Sequence, residues 1–215
     1  MPRLQLVIFD MDGVIFQGCN FWLDLHRTFG TDQAALDLAD LYMTNDYRLL
    51  SRLTVADLWA GKSARPFIDL IETRRLMPGA KELFNFLNDN GIRTAIISSG
   101  PYQLAQRAQK LFGIDQIRAN HVMIEGKRFV GTVDVQVEDS KKDLVAKEIM
   151  EALGASYLEA AGIGDSLSDA KIMERVCCSI AFNTKSEDLI RLCKFHIQSL
   201  KEAITVLRGY FDNFS

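Results

Sequence analysis

Asp10 and Asp12 stand two residues apart at the end of an apolar run, Leu6-Val-Ile-Phe9, and Gly13 follows them. Side chains two apart along an extended chain point the same way, so both carboxylates face one small volume. There they repel unless a cation, a proton or distinct roles separate them. Three later stretches carry residues of matching chemistry. Ser98-Ser99-Gly100 follows the apolar Ala95-Ile-Ile97, a lysine pair, Lys141-Lys142, opens a helical pattern, and Asp165 follows an apolar run over 157–163, with Asp169 one helical turn beyond. Carboxylates, a hydroxyl and a lysine at one place make a phosphoryl-transfer set. Oxygen donors from Asp10 and Asp165 suit Mg²⁺, which is held by one or two carboxylates plus waters and a substrate phosphate. The ion and a lysine would offset phosphate charge and let an aspartate approach it.

The elements that must position these residues are legible in the pattern. Short unbroken apolar runs rich in β-branched residues predict strands buried on both faces, and in open α/β sheets ligands sit at the carboxyl ends of such strands. Buried strands are expected at 6–9, 94–97 and 157–163, with further strands at 117–124, 179–182 and 195–197. The alternation Phe129, Val133, Val135, Val137 predicts an antiparallel partner for 117–124 across the turn Glu125-Gly126-Lys127. Helices are expected between the strands, at 80–90, 102–111, 140–153, 167–175 and 200–207. Strands alternating with helices predict an α/β fold, a parallel sheet covered on both faces. Residues 20–75 break this rhythm. They show helical spacing (Phe21, Trp22, Leu25, Phe29), with starts expected at Thr31-Asp32, Thr54 and Pro66. The segment reads as an inserted helical domain over 17–76, with a Rossmann-like core from 1–16 and 77–215. Trp22, Tyr42, Tyr47 and Trp59 are expected to form the small core of the insertion.

Composition narrows the classes. The 215 residues are 48% apolar and 25% charged, with net charge −3, which offers no basic footprint for nucleic acid. No apolar run reaches the roughly 20 residues of a membrane helix, and the N-terminal stretch lacks a signal-peptide pattern; a cytoplasmic protein is expected. Cys19, Cys177, Cys178 and Cys193 form no C-x-x-C motif, and His26, His121 and His196 are dispersed. Zinc is therefore not expected, and free thiols are. Cys19 is set apart by its closeness to the Asp10 loop.

The motifs FDMDGV at 9–14, IISSG at 96–100, SKKD at 140–143 and GDSLSD at 164–169 stand in the order found in the haloacid dehalogenase (HAD) superfamily of phosphotransferases. The chain resembles that family over nearly its whole length. The insertion resembles the family's first (C1) type of cap, and ANHVMIEGKRFVGTV with the spacing around Lys141 is most similar to the phosphoserine phosphatase branch. The resemblance implies a Mg²⁺-dependent phosphatase acting on a small phosphorylated metabolite. It implies Asp10 as nucleophile, forming an aspartyl-phosphate, and Asp12 as acid and base. Ser98 would hydrogen-bond the phosphoryl group, with Ser99 and Gly100 assisting through their backbone N–H groups. Asp10, Asp12, Asp165 and Asp169 would form the metal shell. Of the lysine pair, Lys141 is expected to bridge phosphate and Asp10, because Leu144 and Val145 then stand at +3 and +4, where the family places apolar residues.

One departure bears on substrate. The phosphoserine branch places a glutamate shortly after the first motif to face the substrate's ammonium. Here Gln17-Gly18-Cys19-Asn20 offers no carboxylate before Asp24, so phosphoserine is expected to be a poorer substrate than an ester without an amino group. Arg48 and Arg52 are candidates to meet a substrate carboxylate. The motifs fit equally a phosphotransferase or mutase of the same superfamily. A non-catalytic binding module on the same fold would be marked by loss of Asp10 or Asp165, and both are present.

Overall fold

The computed structural model describes residues 3–18 and 20–211. Strands β1 (Leu6–Phe9), β2 (Arg93–Pro101), β3 (Gln116–Glu125), β4 (Arg128–Asp134), β5 (Ala160–Gly164), β6 (Cys178–Phe182) and β7 (Phe195–Ile197) form one sheet. Its order is β4-β3-β2-β1-β5-β6-β7. β1 is central, parallel to β2 through Phe9 opposite Ile96 and to β5 through Phe9 opposite Ile163. The β3–β4 pair is antiparallel, as the alternation after Gly126 predicts.

β1 is buried throughout because both faces of the sheet are covered. Val7 and Phe9 join a core with α5 (Ala80–Asp89), α6 (Tyr102–Phe112) and α10 (Leu200–Tyr210). Leu6 and Ile8 join a second core with α7 (Lys142–Leu153) on the other face. Helix α8 (Ala170–Met173) and helix α9 (Glu187–Leu192) lie between β5 and β7 in sequence. No helix among the described residues is long and apolar enough to cross a membrane.

Between β1 and α5 come α1 (Phe21–Phe29), α2 (Asp32–Tyr42), α3 (Tyr47–Leu53), a π-helical stretch Thr54–Trp59 and α4 (Arg65–Thr73). Asn20 caps α1, its side chain accepting from Leu23 N at 3.0 Å, and Gly30 ends it at φ 63°. Thr54 is not a helix start. Asp46 supplies the cap, accepting from Leu49 N at 2.9 Å, and the chain reaches Thr54 already helical, so α3 runs directly into the π-helical stretch. That stretch packs on β4, where Phe129 meets Trp59 and Phe67, each at a centroid distance of 5.6 Å. Helix α2 buries no residue.

The expected strand over 157–163 begins later. A capping box between Ser156 and Glu159 winds Tyr157–Glu159 into a 3₁₀ turn and leaves Leu158 70% exposed. Similarly, the helix expected from residue 167 opens with a 3₁₀ turn, Leu167–Asp169, before α8.

Candidate active site

The strand ends bring the motif residues to one mouth. Asp10 follows β1 and its Oδ1 accepts from Met11 N at 2.8 Å. Ser98 lies on β2, is buried, and its Oγ accepts from Gly100 N at 3.0 Å. Asp165 follows β5, and Asp169 ends the next turn, fully enclosed. Asp10, Asp12, Ser98, Ser99, Gly100, Lys142 and Asp165 all line one cavity of about 520 Å³, roofed by the helical insertion.

Three glycines make the carboxylates fit. A Cβ on Gly13 would stand 2.0 Å from Asp165 Oδ2, and one on Gly164 would stand 2.3 Å from Asp169 Oδ2. On Gly100 it would meet Met11 Cε at 2.7 Å and Asp12 Oδ2 at 3.0 Å. The motif glycines thus serve close packing around the acids as much as turn geometry.

Lys142 holds this cluster together. Its ammonium lies 2.7 Å from Asp169 Oδ1 and 3.2 Å from Asp10 Oδ1, and the side chain is 2% exposed. Burial opposes its charge, but Asp10 and Asp169 outweigh that and hold its pKa well above the ordinary lysine range. Lys141 is the neighbour that sequence phase favours, and the geometry corrects it. Lys141 is exposed and pairs with Glu138 at 2.7 Å. The reason lies in α7: Leu144 is 52% exposed, whereas Val145 and Ala146 are buried. The buried face therefore runs Lys142, Val145, Ala146, Ile149, with +3 and +4 counted from Lys142.

The acids are crowded. Burial, then Asp10 and Asp169, push Asp165 up to about 7. Burial pushes Asp169 up to about 7 against the pull of Lys142. Burial raises Asp12 to about 6, with Arg74 opposing. One oxygen each from Asp10, Asp165 and Asp169 falls within 4.8 Å of the others. Asp169 Oδ2 is buried with no hydrogen-bond partner among the described residues. An all-oxygen set of this density, short of positive charge, fits a small hard divalent cation. The expectation that Asp12 joins that set is not met by its carboxylate. It stands outside the group and faces Arg74 Nη2 at 3.4 Å.

Arg74, at the C-terminal end of α4, pairs with both Asp12 and Asp24. A single arginine at a helix end carries no motif, so nothing in the sequence marks it. Asn120 on β3 is unmarked for the same reason. It donates to Ser99 O at 3.1 Å and Val137 O at 2.9 Å, and accepts from Gln136 N and Val137 N, each at 2.9 Å. Trp22 Nε1 also donates to Ser99 O, at 2.8 Å, so the insertion and the sheet grip the same carbonyl.

The cap arginines do not enter the site. Arg52 is exposed and does not line the cavity, which corrects its expected place against substrate. Arg48 pairs with Glu138 at 2.8 Å. Trp22 and Trp59 pack in the apolar core as expected; Tyr47 instead turns its hydroxyl to the sheet, accepting from Asn120 Nδ2 at 3.4 Å, and all three face the cavity. Cys177, Cys178 and Cys193 are free thiols, and burial pushes Cys178 up to about 12 and Cys193 to about 11. Cys19 lies outside the described residues.

A family model described as haloacid dehalogenase-like hydrolase matches residues 7–174. Among curated proteins, the chain is 26% identical over 183 residues to a phosphoserine phosphatase of Archaeoglobus fulgidus, a match covering 84% of this chain and 53% of that protein. It is 24% identical to a phosphoserine phosphatase of Campylobacter jejuni subsp. doylei, over 95% of this chain and 100% of that one. The chain thus spans about half the length of the Archaeoglobus relative and all of the Campylobacter one. Among solved structures, an apo phosphoserine phosphatase superposes with TM-score 0.81 at 18% identity, covering 98% of this chain and 100% of the other. A phospho-aspartyl intermediate analogue of phosphoserine phosphatase gives 0.80 at 19% identity, covering 95% and 99%.

Proposed function

The chain belongs to the haloacid dehalogenase-like hydrolases, and on that premise we propose that it is a Mg²⁺-dependent phosphatase of small phosphomonoesters, working through an aspartyl-phosphate. The observation that carries this reading is the convergence of Asp10, Asp12, Ser98, Lys142 and Asp165 on one cavity under a helical roof.

In this reading a carboxylate oxygen of Asp10 attacks phosphorus as the bond to the leaving oxygen breaks. Asp12 gives its proton to that oxygen, then takes one from the water that attacks the phospho-enzyme and frees Asp10. Ser98 hydrogen-bonds a phosphoryl oxygen. Gly100 N–H is already engaged by Ser98 Oγ and so orients the hydroxyl. Lys142 neutralises phosphate charge beside Asp10, and Asp169 fixes that ammonium. Asp10 and Asp165 would hold Mg²⁺, with Asp169 supporting them, and the bound ion supplies Lewis-acid stabilisation of the phosphoryl oxygens. Arg74 orients Asp12. Residues 17–76 act as a cap over a core of 1–16 and 77–215, excluding water and contacting whatever lies beyond the phosphate.

The test is release of inorganic phosphate from a panel of phosphorylated metabolites in Mg²⁺, with Asp10→Asn as control. Release by the wild type and none by the variant is expected. Equal release by both would remove Asp10 from the chemistry.

A further inference from the structure

The cavity has two halves of different chemistry. Asp10, Asp12, Asp139, Lys142 and Asp165 lie at the sheet end, where the phosphate is placed above. The half formed by the insertion is walled by Trp22, Leu36, Met43, Leu50, Val55 and Trp59. Among the described residues lining that half, the ionisable ones are His26 and Tyr47, and neither is charged near neutral pH. Burial lowers His26 to about 4, and burial followed by Asp139 raises Tyr47 to about 12.

The charges that an amino-acid leaving group would need are committed elsewhere. Arg48 pairs with Glu138, Arg74 with Asp12 and Asp24, and Arg52 is exposed; none of the three lines the cavity. Asp24 has its partner in Arg74. An ammonium or carboxylate set against Trp22 and Trp59 would lose hydration and meet no counter-charge among the described residues lining this half. An apolar group would instead be withdrawn from water against two indoles whose centroids are 5.6 Å apart. A cavity of about 520 Å³ also exceeds what a seryl group beside a phosphate would fill.

Building on the phosphatase reading, we propose that the leaving group is an uncharged, largely apolar alcohol, aromatic or alkyl, seated against Trp22 and Trp59. The neutral polar groups nearby, Asn20, Ser51 and Thr54, are suited to a hydroxyl or ether on such a group but not to a charge.

The experiment compares kcat/KM for benzyl phosphate, methyl phosphate and phosphoserine in Mg²⁺. All three are esters of alcohols, so the comparison isolates what lies beyond the phosphate. Benzyl phosphate is expected to exceed each of the others by about 100-fold, within the range that one apolar group gives in a fitted pocket. Leu36 is 48% exposed on α2, a position that tolerates change. Leu36→Glu is expected to lower the benzyl-to-methyl ratio at least 10-fold.

Phosphoserine ranking above benzyl phosphate would overturn the inference and leave the phosphatase reading standing. If no ester releases phosphate, the phosphatase reading falls, and quenching of tryptophan fluorescence by benzylphosphonate decides the pocket. Binding at least 10-fold tighter than methylphosphonate supports an apolar site; equal binding overturns it.

Discussion

Lys142 Nζ lies 3.2 Å from Asp10 Oδ1, inside the protein, while the adjacent Lys141 sits at the surface against Glu138. Two residues of the same type, one apart, therefore have separable roles. Lys142→Met is expected to lower kcat by roughly 10²–10³-fold, the scale seen when one preorganised charge is removed from a phosphoryl or oxyanion site. Lys141→Ala should stay within a few-fold of wild type. Circular dichroism should show that both variants fold, and a large loss in Lys141→Ala instead would reverse the assignment.

Asp10→Asn should abolish turnover. It also removes one of three crowded carboxylates, so its unfolding temperature in EDTA should equal or exceed that of wild type. A marked fall in that temperature would mean that the ion pair with Lys142 outweighs the repulsion.

Mg²⁺ should stabilise the native state by binding it and not the unfolded chain. Titrating Mg²⁺ into metal-free protein is expected to raise Tm in the wild type and to do so far less in Asp165→Asn. EDTA should silence activity and Mg²⁺ restore it. Ca²⁺ should substitute poorly, because its larger and looser shell does not hold the attacking carboxylate in one position. Identical Tm rises in wild type and Asp165→Asn would place the ion elsewhere.

Asn120 uses both ends of its buried amide on four backbone groups, of which the N–H and carbonyl of Val137 are buried. Asn120→Ala strands several of them, at about 1–3 kcal/mol for each group left unpaired. A loss of about 2–4 kcal/mol in chemical unfolding is expected, together with a lower kcat, because Ser99 O loses one of its two donors. A change under about 0.5 kcal/mol would show that water replaces the amide at no cost.

His26 gives a stability prediction with a defined sign. Burial lowers its folded value to about 4 from the ordinary 6.5, with Asp32 opposing. The unfolded chain therefore binds more protons between those values, and stability falls as pH drops through that window. The loss from this one group reaches about 3 kcal/mol by pH 4 and levels off within about one pH unit below it. His26→Gln should flatten this part of the wild-type profile, read as the difference between the two proteins' stabilities at pH 7 and pH 4. Parallel profiles would mean that His26 already titrates normally in the fold.

The sequence alone determined the sheet, the helical insertion and the acidic residues of the site. Asp10 and Asp165 are legible because a buried strand such as Leu6–Phe9 needs a continuous apolar run, and its abrupt end in carboxylates marks the carboxyl edge of a sheet. Gly13, Gly100 and Gly164 are visible in the motifs, but that they make room for Asp165, Asp12 and Asp169 is visible only in three dimensions. Apolarity alone points to Lys141, whereas the buried face of α7 carries Lys142. The fold buries the small Ala146 and leaves Leu144 in solvent, and a methyl group gives too weak a sequence signal to fix a helix's phase. Arg74, Asn120 and Trp22 act across separations of 62, 21 and 77 residues, to Asp12 and to Ser99. No local periodicity encodes such a contact. The candidate site residues stand in short stretches of chain, but the cavity they line exists only where the insertion closes over the sheet.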